Sequence, residues 1–215
     1  MCLREGLPVA LGPEHPQQPH ETHAQRPWAL GCVKKALNLL AGLRSHLRPH
    51  VVACSTAISA CQRGRQWQFV LSLLSFVPRS RLRPGVVTYN VAISACEKGR
   101  RWQHALILFN GLFQSRLQPD VITYSAAISA CEKDRQWQHA LNLLGSLLQS
   151  RLRPDVVIYN AAISACEKGR QWRQALGLLG GLFQSRLQPD VVTYNAAISS
   201  CEKGRRWQQA LSLLG

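Results

Sequence analysis

Residues 154–188 read "PDVVIYNAAISACEKGRQWRQALGLLGGLFQSRLQ", and Pro189 opens the same wording again as "PDVVTYNAAIS". Earlier copies start at Pro49 ("PHVVACSTAIS"), Pro84 ("PGVVTYNVAIS") and Pro119 ("PDVITYSAAIS"). The five prolines are 35 residues apart, and so are Trp67, Trp102, Trp137, Trp172 and Trp207. A fixed period in the range of about 20–50 residues marks an array of repeated units, each too small to bury its own apolar faces. Upstream, "ALNLLAGLRSHLRP" (Ala36–Pro49) matches "ALNLLGSLLQSRLRP" (Ala140–Pro154) with one residue deleted, so a half unit precedes the first whole one.

Inside the unit, Tyr159, Ala162, Ile163 and Cys166 recur at helical spacing and predict a first helix with one apolar stripe. Lys168 falls in its last turn, where the helix dipole favours a cation, and Gly169 is expected to close it in the left-handed conformation. Trp172, Ala175, Leu176, Leu179, Leu182 and Phe183 form a second stripe, ended by Pro189, which cannot continue a helix. The tryptophan heads that stripe and is read as packing rather than as a platform for bases. The fold class expected is all-α, a solenoid of helical hairpins. The divisions are an irregular N-terminal segment 1–32, a degenerate half repeat 33–50, repeats at 51–85, 86–120, 121–155 and 156–190, and an incomplete repeat 191–215. No polar capping helix follows Leu213, so further C-terminal repeats or self-association through an uncapped end are expected.

Composition narrows the partners. Against 11 Asp and Glu stand 26 Lys and Arg, a formal charge of +15, which favours polyanions, nucleic acid first. No run approaches the ~18 apolar residues of a membrane span, and a membrane partner is not expected. Glu5, Glu14 and Glu21 leave no clear transit peptide. Cys61, Cys96, Cys131, Cys166 and Cys201 lie 35 apart. Equivalent stacked helices are about 8–10 Å apart, too far for a disulfide's Cα separation of about 4.4–6.8 Å. These thiols are read as buried core residues of an intracellular protein. No zinc-ligand spacing exists, so no metal or other cofactor is expected. Reactive side chains such as Glu97, Glu132, Glu167 and Glu202 are copied in each unit, whereas catalysis needs a unique constellation. The chain is not expected to be an enzyme.

A second, polar stripe shares the first helix. Asn160, Ser164 and Lys168 are spaced four apart, as are Asn90, Ser94 and Lys98; Ser125, Ser129 and Lys133; Asn195, Ser199 and Lys203; and Ser55, Ser59 and Arg63. The cation is constant and the first polar residue changes. Such a row has the form of a phosphate track beside residues able to read bases.

With its "VVTYN" start at Val191, its Ala175–Leu176 pair and its "PD" end at Pro189–Asp190, the unit resembles the pentatricopeptide repeat, over Val51 to Gly215 and the half unit from Ala36. The resemblance implies helix-turn-helix units in a right-handed superhelix that binds single-stranded RNA, one base per repeat, in chloroplasts or mitochondria. It implies that the residue after Tyr and the Asp after the terminal Pro choose the base together. Carried over, Asn90 with Asp120 implies uracil, Ser125 with Asp155 guanine and Asn160 with Asp190 uracil, a core reading U-G-U from 5′ to 3′. Asn195 holds a base-reading position but lacks its partner because the chain ends first, and Ser55 with Gly85 is no recognised pair, so no base is assigned to either unit. Val87, Ile122, Val157 and Val192 would sandwich the bases, and Arg63, Lys98, Lys133, Lys168 and Lys203 would contact phosphate. Five such cations imply a log–log salt slope near −3 to −3.5. The alternative is a tetratricopeptide-like scaffold for protein partners; the period of 35 and the Asp after Pro count against it.

Overall fold

The computed structural model describes residues 67–76 and 84–213. The readings for segments 1–32 and 33–50, for Arg63 and Cys61 and for most of 51–85 lie outside them. Among the described residues the chain forms α1 (Trp67–Phe76), α2 (Val86–Lys98), α3 (Trp102–Gln114), α4 (Val121–Lys133), α5 (Trp137–Gln149), α6 (Val156–Lys168), α7 (Trp172–Gln184), α8 (Val191–Lys203) and α9 (Trp207–Ser212), with no strand. The even-numbered helices are first helices of a unit, and the odd-numbered ones are second helices.

Each first helix packs on its own second helix and on the first helix of the next unit: α2 on α4, α4 on α6, α6 on α8. Each of α3, α5 and α7 packs on its own partner and on the following first helix. Small residues make the first-helix stack close. Ala92, Ala95, Ala127, Ala130, Ala162 and Ala165 are fully or almost fully buried in it, together with Ile93, Ile128 and Ile163. Burying an isoleucine contributes about 1.5–3 kcal/mol, which no unit could obtain alone. Tyr89, Tyr124 and Tyr159 tie each first helix to the end of its own second helix, through Ser115, Ser150 and Ser185 at 3.0, 3.3 and 2.9 Å.

Cys96, Cys131, Cys166 and Cys201 are buried and unpaired, as expected. Burial pushes the Cys96 and Cys166 thiols up to about 11 and that of Cys131, with help from Asp134, to about 12. They are poor nucleophiles at neutral pH.

Two local expectations are corrected. Gly169 is not left-handed: its φ is −84°, and the left-handed residue is the next one, Arg170, at φ 58°. Gln171 N–H reaches Cys166 C=O at 2.8 Å and Arg170 N–H reaches Glu167 C=O at 3.1 Å, a Schellman turn with arginine at the position that usually holds glycine. Glycine is needed one residue earlier for another reason. A Cβ on Gly169 would sit 2.4 Å from Trp137 Cδ1, and Gly99 and Gly204 face Trp67 and Trp172 in the same way. In the second stripe, Phe183 turns outward and is half exposed, because Leu179 and Leu182 already fill the interface.

The tryptophans thus pack against the next unit's turn. Trp137 touches both apolar clusters of the core, whereas Trp207 is exposed. Trp137→Ala is expected to lower the unfolding free energy by about 3 kcal/mol and Trp207→Ala by less than about 0.5 kcal/mol. Urea denaturation followed by circular dichroism checks this, and equal effects would contradict the packing role.

Candidate nucleic-acid interface

The polar stripe is built at the seam between first helices. Asp120, Asp155 and Asp190 are helix N-caps, accepting the backbone N–H three residues on at 2.8, 2.9 and 2.8 Å. That fixes each carboxylate at the start of one first helix, facing the preceding one. Asn90 Nδ2 donates to both Asp120 oxygens at 3.0 and 3.2 Å, and Asn160 Nδ2 does the same to Asp190 at 3.0 and 3.2 Å. A carboxylate only accepts, so it orients the amide nitrogen toward itself.

A third residue completes the junction, one the sequence reading missed. The Thr123 hydroxyl lies 2.6 Å from Asn90 Oδ1 and 2.8 Å from Asp120 Oδ1, and it accepts the Asp120 backbone N–H at 3.1 Å. Thr193 repeats this with Asn160 and Asp190 at 2.6, 2.8 and 3.1 Å. Each Asn is therefore clamped at both ends, with one amide hydrogen and one oxygen lone pair left over. The available signal was the Asp-x-x-Thr spacing, a capping box.

The Ser125–Asp155 junction differs. No hydrogen bond joins its two side chains, and Ile158 stands where the other junctions have threonine. A depression of about 220 Å³ opens there, lined by Ser125, Asp155, Ile122, Ala126, Ser94 and Glu97 among others. Asn90 itself is only 8% exposed, Ser125 and Asn160 are half-buried, and Asn195 is exposed. Beside the seam, Val87, Ile122, Val157 and Val192 are between 60% and 69% exposed, a row of apolar side chains that the packing does not use.

The lysines face backward along the stack. Lys133, Lys168 and Lys203 pair with Glu97, Glu132 and Glu167 of the preceding unit at 2.6, 2.5 and 2.5 Å. Ser164 and Ser199 donate to the same Glu132 and Glu167 at 3.1 and 2.9 Å. Lys98 has no carboxylate partner among the described residues; the glutamate position one unit earlier is Gln62. Three of the five cations expected to contact phosphate thus form a ladder of ion pairs between units. Its partners stand 36 residues apart, beyond the reach of any local spacing rule.

Hairpins stacked first helix on first helix, with a polar seam renewed at every step, define a helical-repeat solenoid. The family described as PPR repeat family matches residues 84–133 and 154–203, the pentatricopeptide repeat domain matches 43–98, and the PPR repeat matches 122–152 and 192–215. The chain belongs to the pentatricopeptide repeat family. Similar solved structures include the pentatricopeptide repeat protein PPR10 in complex with an 18-nt psaJ RNA element, at 28% identity and a TM-score of 0.68 over 85% of this chain and 27% of that one. PPR10 from maize, at 24% identity, gives a TM-score of 0.66 over 90% of this chain and 27% of that one. The PPR domain of Arabidopsis thaliana protein-only RNase P 1 in complex with tRNA gives 0.66 at 12% identity, over 74% of this chain and 84% of that one. The chain spans about a quarter of the PPR10 chain, 27%. Among curated proteins nothing matches the chain. Among the described residues no helix is long and apolar enough to cross a membrane, and no cluster of His, Cys, Asp or Glu could hold a metal ion.

The junction has a pH signature. Burial pushes the Asp120 carboxyl up, but hydrogen bonds from the Thr123 backbone and hydroxyl and from Asn90 outweigh it and hold the group below its ordinary 3.8. The Thr193 hydrogen bonds lower Asp190 likewise, against a smaller push from burial and with help from Asn160. Both groups are more acidic folded than unfolded. Their contribution to stability is therefore whole above about pH 4 and is lost as pH falls through the folded values. Asp120→Asn with Asp190→Asn keeps good N-caps while removing the titration. Below about pH 4 the urea midpoint should fall more steeply in the parent than in this variant; parallel curves would contradict the network.

Proposed function

We propose that the chain binds single-stranded RNA through the seam between its first helices, one base per junction, with the core reading U-G-U, and acts by occupancy, without chemistry of its own. The observation that carries this is the junction geometry: a changeable polar side chain, a fixed carboxylate and an exposed apolar residue meet at each step of the stack. The RNA bound to PPR10 in a related structure supports the ligand class.

The hydrogen-bond inventory favours the base assignment. At Asn90 and Asn160 the carboxylate is taken up by the amide, leaving one donor and one acceptor. That pair complements the acceptor and N–H donor side by side on a uracil edge. At Ser125 the shorter side chain leaves the Asp155 carboxylate free and the depression open. A free carboxylate accepts from the N–H donors that guanine carries on its pairing edge, and the larger opening suits a purine. Val87, Ile122, Val157 and Val192 would lie against the faces of the bases. Occupancy of this kind shields or remodels a transcript, affecting its processing, stability or translation, in a chloroplast or mitochondrion as the family resemblance implies.

The test is a change of letter. Ser125→Asn should move the preferred ligand from U-G-U to U-U-U, with a discrimination of about 10-fold set by one base contact. Equilibrium binding of both RNAs to parent and variant measures it. Identical affinities for both RNAs in both proteins would remove the code.

A further inference from the structure

Among the described residues, the unpaired positive charge does not lie mainly on the lysines. On the first helices, Lys98, Lys133, Lys168 and Lys203 are matched in number by Glu97, Glu132, Glu167 and Glu202, and Asp120, Asp155 and Asp190 add negative charge at the helix starts. Three of those lysines already have carboxylate counterions. A polyanion gains little from a cation that is already neutralised, because counterion release requires free charge. The seam is suited to reading bases and poorly suited to attracting a phosphate backbone.

The free charge stands at the turns. Arg100, Arg135, Arg170 and Arg205 join each first helix to its second, are exposed, and make no ion pair among the described residues. All four hold the left-handed conformation, at φ 53°, 59°, 58° and 55°. That conformation costs a non-glycine residue about 1–2 kcal/mol, and glycine or asparagine is its ordinary occupant. The fold explains the glycine before Arg100, Arg170 and Arg205, through its tryptophan contact, but gives no reason for an arginine at the strained position. Arg116, Arg151 and Arg186 hold the same strain at the opposite rim, so the strain marks exposed arginines at the turns of both rims and does not by itself choose between them. The neighbouring Arg101 and Arg206 are already placed over the Trp67 and Trp172 rings, at 4.7 and 5.2 Å.

One further feature locates the surface. A depression of about 770 Å³ at this rim is lined by Arg100, Lys98, Lys133 and Lys168, with Glu132 as its one acid. It joins Arg100, the first of the turn arginines, to the lysine end of the first helices. From Asn90 to Lys98 is eight residues, about 12 Å along the helix. This rim is therefore within reach of the backbone of a strand whose bases enter the seam.

We propose that the rim formed by Arg100, Arg135, Arg170 and Arg205 is a phosphodiester-binding surface, independent of base identity, that holds the backbone of the strand whose bases the seam reads. It rests on the RNA-binding reading above, and deepens it by moving the electrostatic contact from the paired lysines to the turns. The guanidinium fork suits phosphate oxygens, and its charge is permanent at any physiological pH.

The test replaces the rim without disturbing the turns. Arg100→Asn, Arg135→Asn, Arg170→Asn and Arg205→Asn are combined, since asparagine is at home in the left-handed region. A second variant combines Arg116→Asn, Arg151→Asn and Arg186→Asn, which have the same backbone geometry, φ 56° to 58°, at the opposite rim. A third, Glu167→Gln with Lys203→Gln, removes one ion pair that does not line this depression, with no change of net charge. Circular dichroism confirms that all three keep the parent's helicity. Affinity is measured from 50 to 200 mM salt for a U-G-U-containing RNA and for an abasic strand with the same number of phosphates. The four-arginine variant should lose about 0.7 of log–log slope per arginine on both probes, so that the salt-induced loss of affinity shrinks by about 50-fold over this range. The other two variants should keep the parent slope. An unchanged slope in the four-arginine variant, equal flattening by the opposite rim, or no binding of either probe by the parent overturns the proposal. Parent binding to both probes without preference for U-G-U, with the slope lost in the four-arginine variant, sinks the base reading and leaves this surface standing.

Discussion

Every feature of the molecule follows from the contact of one first helix with the next. The alanine, isoleucine and cysteine face of each first helix is complementary to its neighbour's, and no unit can cover that face alone. Because the contact is repeated with little change, it sets one spacing and one rotation for the whole array. That rigidity brings an asparagine and an aspartate 30 residues apart to 3.0 Å, twice over.

The aspartate has two duties, and they reinforce each other. As an N-cap it is held by a backbone N–H, which fixes its position far better than a free side chain could be fixed. As the partner of the preceding asparagine it sets which way the amide points. The threonine hydroxyl then locks the other end of the amide. A polar junction satisfied by the protein before any ligand arrives loses little entropy on binding. At Ser125 the same frame is left open, so the junctions differ in chemistry while the scaffold stays constant.

The hairpins, the buried stripes of Tyr159, Ala162, Ile163 and Cys166, and the packing role of the tryptophans were all legible in the sequence, because they rest on periodicity within a single helix. The row from Val87 to Val192 was legible only through the family resemblance, not from the helical pattern, and it lies exposed. What the sequence hid lies between units. The ladder of Lys133, Lys168 and Lys203 on the preceding glutamates, and the hydroxyl of Thr123 on Asn90, depend on the angle at which helices cross. The left-handed arginine was misread by one position. Glycine is the usual mark of such a turn, but here the neighbouring tryptophan demands the glycine instead.

On the proposed reading, the stacked junctions are read in chain order as separate letters. Selection of bound strands from a fully randomised pool of single-stranded RNA tests it most directly, since register, polarity and base preference emerge together. Enrichment of contiguous U-G-U, with its first uracil assigned to the Asn90 junction, is the result predicted. A pool that stays random after repeated selection, or one enriched for a motif with no guanine between the two outer bases, would contradict it.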